Sequence, residues 1–172
     1  MGNENGAALD LFVTGLRNQH AVENQAVSLL SRQVERLENY PEMEARMRRH
    51  IDESKVQAER IEQLLAALST SHSALKDAGM SLMGNLAAMA HTVAPDEVLK
   101  NSFANYAFEH FEIAAYKSLL TMAEAVGQSS ARALLTQSLD EEVAMAAWLD
   151  RHLAETTTRY LQRSSAGVTA GI

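Results

Sequence analysis

Glu109-His110-Phe111-Glu112-Ile113-Ala114-Ala115-Tyr116 sets two carboxylates three residues apart, with a tyrosine one turn beyond, inside a stretch that otherwise reads as helix core. Extended both ways, the stripe runs Val98, Ser102, Asn105, Glu109, Glu112, Tyr116, Leu119, Ala123, the spacing of one buried helix face. Three other segments repeat the pattern. Phe12, Leu16, His20, Glu23, Val27, Leu30 and Val34 form one stripe, and Leu135, Ser138, Glu142, Met145, Leu149 and His152 form another. The third reads Met43, Met47, His50, Ser54, Gln57, Ile61, Leu64 and Leu68, with Glu53 on its shoulder. Carboxylates in a helix-bundle core are costly unless a cation sits between them, so the pattern points to a four-helix bundle with a buried metal site.

Composition agrees with an all-α fold. The chain has 172 residues, two prolines and no cysteine, and it is rich in helix formers. That length suits one domain with a real core. Without cysteine, no disulfide contributes to the fold and any metal must be held by oxygen and nitrogen. A net charge of −7 argues against binding to a nucleic-acid backbone. The longest apolar runs, such as Leu86 to Ala90, are too short for a bilayer, and Met1-Gly2-Asn3-Glu4-Asn5-Gly6 does not read as a signal peptide. The expected location is the cytoplasm, with no membrane partner.

Proline and glycine divide the chain. Helices are expected at about 7–38, 41–69, 95–126 and 129–164, flanked by disordered tails at 1–6 and 165–172, so that the bundle domain spans 7–164. Pro41 suits the first turn of the second helix, with Glu42 and Glu44 at the positive end of its dipole; Pro95, Asp96 and Glu97 repeat this for the third. Gly127 can end the third helix in the left-handed conformation, and Ser129 can cap the fourth. The short joints make helices 1 and 2, and helices 3 and 4, antiparallel hairpins. The stretch 70–94 carries its own helical pattern, Leu82, Leu86, Met89 and Val93. It is long enough to cross the bundle, as the crossover of a ferritin-like topology does.

Depth supports a shared site. Glu23 lies 17 residues and Glu53 13 residues from the hairpin near residue 40, while Glu112 and Glu142 lie 16 and 14 residues from that near residue 128. At about 1.5 Å per residue, partners within a hairpin differ by about 3–6 Å along the axis, which a glutamate side chain can span. Glu23, Glu53, Glu109, Glu112 and Glu142 are therefore the candidate ligands. The chain has 16 glutamates, which leaves open that some are solvated or ion-paired stripe edges. His20 and His50 each stand one turn before a stripe glutamate and could ligate, orient a ligand, or be hydrogen-bonded core histidines. Gln57 could donate an amide oxygen, and Tyr116 could hydrogen-bond a carboxylate or pack as an aromatic. Phe103, Tyr106, Phe111, Trp148 and Leu153 exceed what one stripe needs, which suggests a second surface for a homodimer.

The runs Ala21-Val22-Glu23-Asn24-Gln25, His50-Ile51-Asp52-Glu53-Ser54, Glu59-Arg60-Ile61-Glu62-Gln63, Glu109 to Tyr116 and Leu139-Asp140-Glu141-Glu142 resemble the YciE/YciF family of ferritin-like stress proteins, over roughly residues 10–160. Glu109-x-x-Glu112 also resembles the third ligand helix of rubrerythrins. The resemblance implies a bacterial cytoplasmic bundle, dimeric, with two divalent metal ions (iron or manganese), associated with stress. The first reading is then a metal-binding stress protein, with weak chemistry toward a small oxidant, O₂ or peroxide, if its metals are redox-active; the alternative is a non-catalytic dimeric helical protein with a vestigial site. The chain departs from the fuller dimetal pattern of Glu-x-x-His on two helices. Val56 and Met145 stand where those histidines would be.

Overall fold

A computed structural model describes residues 2–68 and 96–171 of the chain. Among them are four helices, α1 (Gly2–Val34), α2 (Pro41–Ala67), α3 (Glu97–Ala125) and α4 (Arg132–Ser165). α1 and α2 form one antiparallel hairpin and α3 and α4 the other, with α1 lying along α3 and α2 meeting α4. The fold is an all-α bundle, as the stripes require. The expected crossover at 70–94 lies outside the described residues. No helix among the described residues is long and apolar enough to cross a membrane.

Local chemistry sets the joints. Pro41 opens α2, with Glu42 and Glu44 in its first turn. Gly127 has φ +72°. Its N–H donates to the carbonyl of Glu124 (3.1 Å) and that of Gln128 to the carbonyl of Ala123 (2.8 Å), the paired bonds of a left-handed helix stop. Ser129 does not cap the last helix as expected. It opens a single 3-10 turn, Ser129–Ala131, with no side-chain cap, and α4 follows it.

Both chain ends differ from the frayed tails that composition suggests. α1 starts at Gly2 rather than near residue 7, because the helix-forming run has no proline to stop it and Gly6 weakens a helix without breaking it. At the other end, Gly167 (φ +69°) repeats the left-handed stop, with Val168 N–H donating to Arg163 O at 3.2 Å. The tail then folds back. Arg163 Nε donates to Thr169 O (2.7 Å), and the Tyr40 hydroxyl donates to Ala170 O (2.6 Å), which leaves Ala170 buried at the corner between α1 and α2.

The core has three layers. Phe12, Leu16, Ile61, Leu65, Leu119 and Leu135 fill one end. Leu30, Val34, Met43, Met47, Val98, Met145 and Leu149 fill the other. Between them all four helices bury polar side chains, among them Gln19, Glu23, His50, Ser54, Gln57, Glu109, Glu112, Ser138 and Glu142. Gly15 lets α1 approach α3 closely: a Cβ there would sit 2.9 Å from Leu119 Cδ2. That close approach sets Gln19 and Glu23, one and two turns on, against Glu112 and Tyr116.

Candidate metal centre

His50 from α2, Glu109 and Glu112 from α3 and Glu142 from α4 converge in the middle layer. Each offers one ligand atom within 4.8 Å of all the others, and all four residues are buried. Glu23 from α1, also buried, borders this group. Its Oε1 accepts from the Tyr116 hydroxyl at 2.5 Å and from Gln19 Nε2 at 3.0 Å. The same Gln19 amide donates to Glu112 Oε1 at 3.2 Å, tying Glu23 and Glu112 together. The remaining donor atoms are without hydrogen-bond partners among the described residues: Glu23 Oε2, Glu109 Oε2, Glu112 Oε2, both oxygens of Glu142, and His50 Nε2. Buried polar atoms are almost always paired, so several orphans converging on one place fit a ligand that would satisfy them together.

His50 is held from behind. Its Nδ1 lies 2.9 Å from Glu53 Oε2, which also accepts from Arg46 Nη1 at 2.9 Å. A carboxylate can only accept, so Nδ1 carries the proton and Nε2 faces the cluster. Nε2 lies 3.0 Å from Glu109 Oε2 and 3.7 Å from Glu142 Oε2, without the alignment of a hydrogen bond. An imidazole backed by a carboxylate in this way is the usual arrangement of a metal-ligating histidine.

The electrostatics point the same way. Burial, moderated by the bonds from Tyr116 and Gln19, pushes the Glu23 carboxyl up to about 7. Burial also raises Glu112 well above the usual carboxylate range, with Glu23, Glu142 and Glu109 adding their repulsion. Glu142 is raised by burial and by Glu109. For His50, burial works against the charged ring, but Glu109, Glu53 and Glu142 outweigh it and hold its pKa well above normal. Burial and mutual repulsion favour the protonated forms of Glu23, Glu112 and Glu142, and the surrounding carboxylates favour the charged His50 ring, so the group gathers positive charge where a bound cation would supply it.

The candidate residues separate in space. Glu23, Glu109, Glu112, Glu142 and His50 come together. Glu53 stands outside this group, half-buried, because its shoulder position turns it toward Arg46; it touches the cluster only through His50. His20 faces the flank of the bundle, with Nε2 2.8 Å from Glu62 Oε1. Gln57 is fully buried, with Nε2 donating to Glu141 Oε2 at 3.0 Å. Met145 is packed into an apolar end cluster, and Val56 is 42% exposed, so a histidine at position 56 would face away from the cluster. The imidazole from α2 comes instead from His50, one turn before Glu53.

Two features escape the stripe reading. Gln19 is a bridging residue, and 12-16-19-23 is as good a helical stripe as 12-16-20-23; the three-residue step would have found it. Arg60 is 8% exposed and makes a two-pronged pair with Glu141, Nη1 to Oε2 at 2.6 Å and Nη2 to Oε1 at 2.8 Å. Nη1 also reaches Ser138 Oγ at 3.2 Å.

The family described as "Domain of unknown function (DUF892)" matches residues 7–162. Protein YciF of Escherichia coli (strain K12) is 30% identical over 142 residues, an alignment covering 78% of this chain and 83% of YciF. The crystal structure of a protein from Xanthomonas campestris pv. campestris aligns with a TM-score of 0.77 at 28% identity, covering 92% of this chain and 99% of that one. The crystal structure of the E. coli stress protein YciF aligns with a TM-score of 0.77 at 24% identity, covering 88% and 98%, a likeness of fold.

Proposed function

This chain belongs to the DUF892 family, and we propose that its buried cluster is a working metal site in a ferritin-like, stress-associated bundle. The observation that carries this reading is the convergence of Glu109, Glu112, Glu142 and His50 ligand atoms within 4.8 Å of one another, with His50 Nε2 and oxygens of all three carboxylates outside any hydrogen bond among the described residues. The donor set fits the group: carboxylates plus one imidazole suit ferrous iron or manganese. His50 Nε2 and the Glu109, Glu112 and Glu142 carboxylates would hold one ion, and Glu112 with the free oxygen of Glu23 offers a place for a second. Bound iron or manganese would supply one-electron chemistry toward O₂ or peroxide. Glu53 and Arg46 hold the His50 ring in the tautomer that presents Nε2. Tyr116 and Gln19 fix Glu23 through one oxygen and leave its other without a hydrogen-bond partner among the described residues. The apolar layers on both sides keep bulk water away. A single imidazole makes this a carboxylate-dominated site, and we read its oxidant chemistry as slow.

The same reading takes the protein to be a cytoplasmic homodimer. Phe103, on α3, is 53% exposed, and a second copy is the partner we assign to that face. Light scattering at micromolar concentration should report a dimer. For the site itself, protein reconstituted without oxygen with Fe²⁺ or Mn²⁺ should retain up to about two ions per chain after desalting. Glu142→Gln should lose that metal. Wild-type protein that stays metal-free with both ions would overturn the reading and leave a helical protein with a vestigial cluster.

A further inference from the structure

A second group of ligating side chains lies outside the core. Glu42, in the first turn of α2, meets His152 and Glu155 of α4, again with one ligand atom each within 4.8 Å of the others. Glu42 and Glu155 are exposed and His152 is half-buried. The three line a cleft of about 30 Å³ together with Tyr40, Trp148 and Arg159, room for something the size of an ion or a water.

His152 is set for coordination. Its Nδ1 lies 2.8 Å from the Trp148 carbonyl, which can only accept, so Nδ1 carries a proton and Nε2 is the nitrogen left for a metal. The ring is stacked on the Trp148 indole, centroids 4.0 Å apart and planes 16° from parallel, which fixes its orientation. The spacing of His152 and Glu155 puts both on one face of α4, one turn apart. Among the described residues, none of the ion pairs involves Glu42 or Glu155. Two features oppose a cation here. The start of α2 carries about half a positive charge, and Arg159 lines the cleft. Arg159 is drawn over the Tyr40 ring, 5.7 Å from its centroid, and two carboxylates outweigh what remains.

We propose that Glu42, His152 and Glu155 form a surface site for a divalent transition ion of the zinc type, clamping the start of α2 to α4. One imidazole and two carboxylates, with a fourth position open to water, match that ion class. Magnesium and calcium want more oxygen ligands than this site offers. The site is independent of the interior cluster and stands whether or not that cluster holds metal.

Trp148 is the only tryptophan and stacks on the proposed ligand, so its fluorescence reports binding directly. The full chain is titrated with Zn²⁺, following Trp148 emission, with bound zinc counted by equilibrium dialysis. The Glu142→Gln chain serves as the background in which the interior cluster is disabled. In that background we expect a saturable emission change and one zinc per chain. His152→Ala should abolish both. Glu42→Gln, which leaves the stacked pair untouched, should weaken binding at least about tenfold, no less than loss of an outer-shell partner does. Magnesium at the same concentration should give no response. If Glu142→Gln does not fold, Glu42→Gln alone should still show the Trp148 emission change, displaced to at least about tenfold higher zinc than in wild type. Unchanged affinity and stoichiometry in Glu42→Gln, no zinc retained in the Glu142→Gln chain, or an equal response to magnesium would each overturn the proposal.

Discussion

Two groups of charged side chains share the middle of this bundle and are built differently. Arg60 and Glu141 are joined by two short bonds, and Glu141 Oε2 also accepts from Gln57. Both oxygens of that carboxylate are engaged. Nearby, Glu142, the next residue along α4, is fully buried with both oxygens unpartnered among the described residues, as are atoms of Glu109, Glu112, Glu23 and His50. A charged group that serves the fold is closed by its own neighbours. The other group is held in place from outside, by Tyr116, Gln19 and Glu53, and left open toward its centre. Adjacent residues on one helix thus carry opposite burdens: Glu141 stabilises the apoprotein, whereas Glu142 strains it.

The comparison can be broken most forcefully with metal. Mn²⁺ at 100–1,000 times its Kd should stabilise the wild-type protein by about 3–4 kcal/mol, and the Glu142→Gln protein by far less. Thermal melts with and without the ion measure this, and equal gains in both proteins would contradict it. Next in size is the closed pair. Glu141→Leu should destabilise the protein by about 2–3 kcal/mol, below the range for fully buried pairs because Glu141 is 23% exposed. Urea unfolding would show it, and a neutral result would mean that the pair contributes nothing net.

A smaller effect should appear with pH. Glu23 rises from 4.5 to about 7 in the folded protein, and Glu112 and Glu142 shift the same way. The native state therefore holds protons that the unfolded chain has released. The contribution is full below pH 4.5 and is lost as pH rises through about 7; the raised His50 acts in the same direction. Chelator-treated protein should lose on the order of 1–2 kcal/mol between pH 5 and pH 8, while affinity for Mn²⁺ increases over that window as metal displaces protons. Stability that rises with pH in the metal-free protein would refute the assignment. Smallest of all, Glu142→Gln should leave the apoprotein at pH 8 unchanged or more stable by less than about 1 kcal/mol, since it removes a charge that repels its neighbours. A loss of several kcal/mol would place Glu142 with Glu141 among the structural residues.

Much of this was readable in the chain, and the misses share a cause. Helix period and the Pro41 and Gly127 signals placed the four helices, and the stripes carried Glu23, Glu109, Glu112 and Glu142 into the core. Periodicity assigns a face, but not the rotation within it. On α1 it favours His20 where Gln19 is the residue that turns inward, and on α2 it sets His50 on the stripe but leaves Glu53 near enough on its shoulder to stand as a candidate ligand. In each case packing decided: Gly15 brings α1 against α3 and commits Gln19 inward, while Arg46 draws Glu53 outward and leaves His50 as the inward group. The fold-back at Thr169 and Ala170 is not legible in the chain because its anchors, the Arg163 side chain and the Tyr40 hydroxyl, are a helix end and a distant corner that meet only in the fold.

The central claim is positional, so the most direct test locates the ion. Crystals of protein reconstituted with Mn²⁺ should give an anomalous difference peak at the manganese edge within bonding distance of His50 Nε2 and of the Glu109 and Glu142 carboxylates, and no such peak for Glu142→Gln. A wild-type map with no peak among these side chains, after loading with Mn²⁺ and then with Fe²⁺, would contradict it.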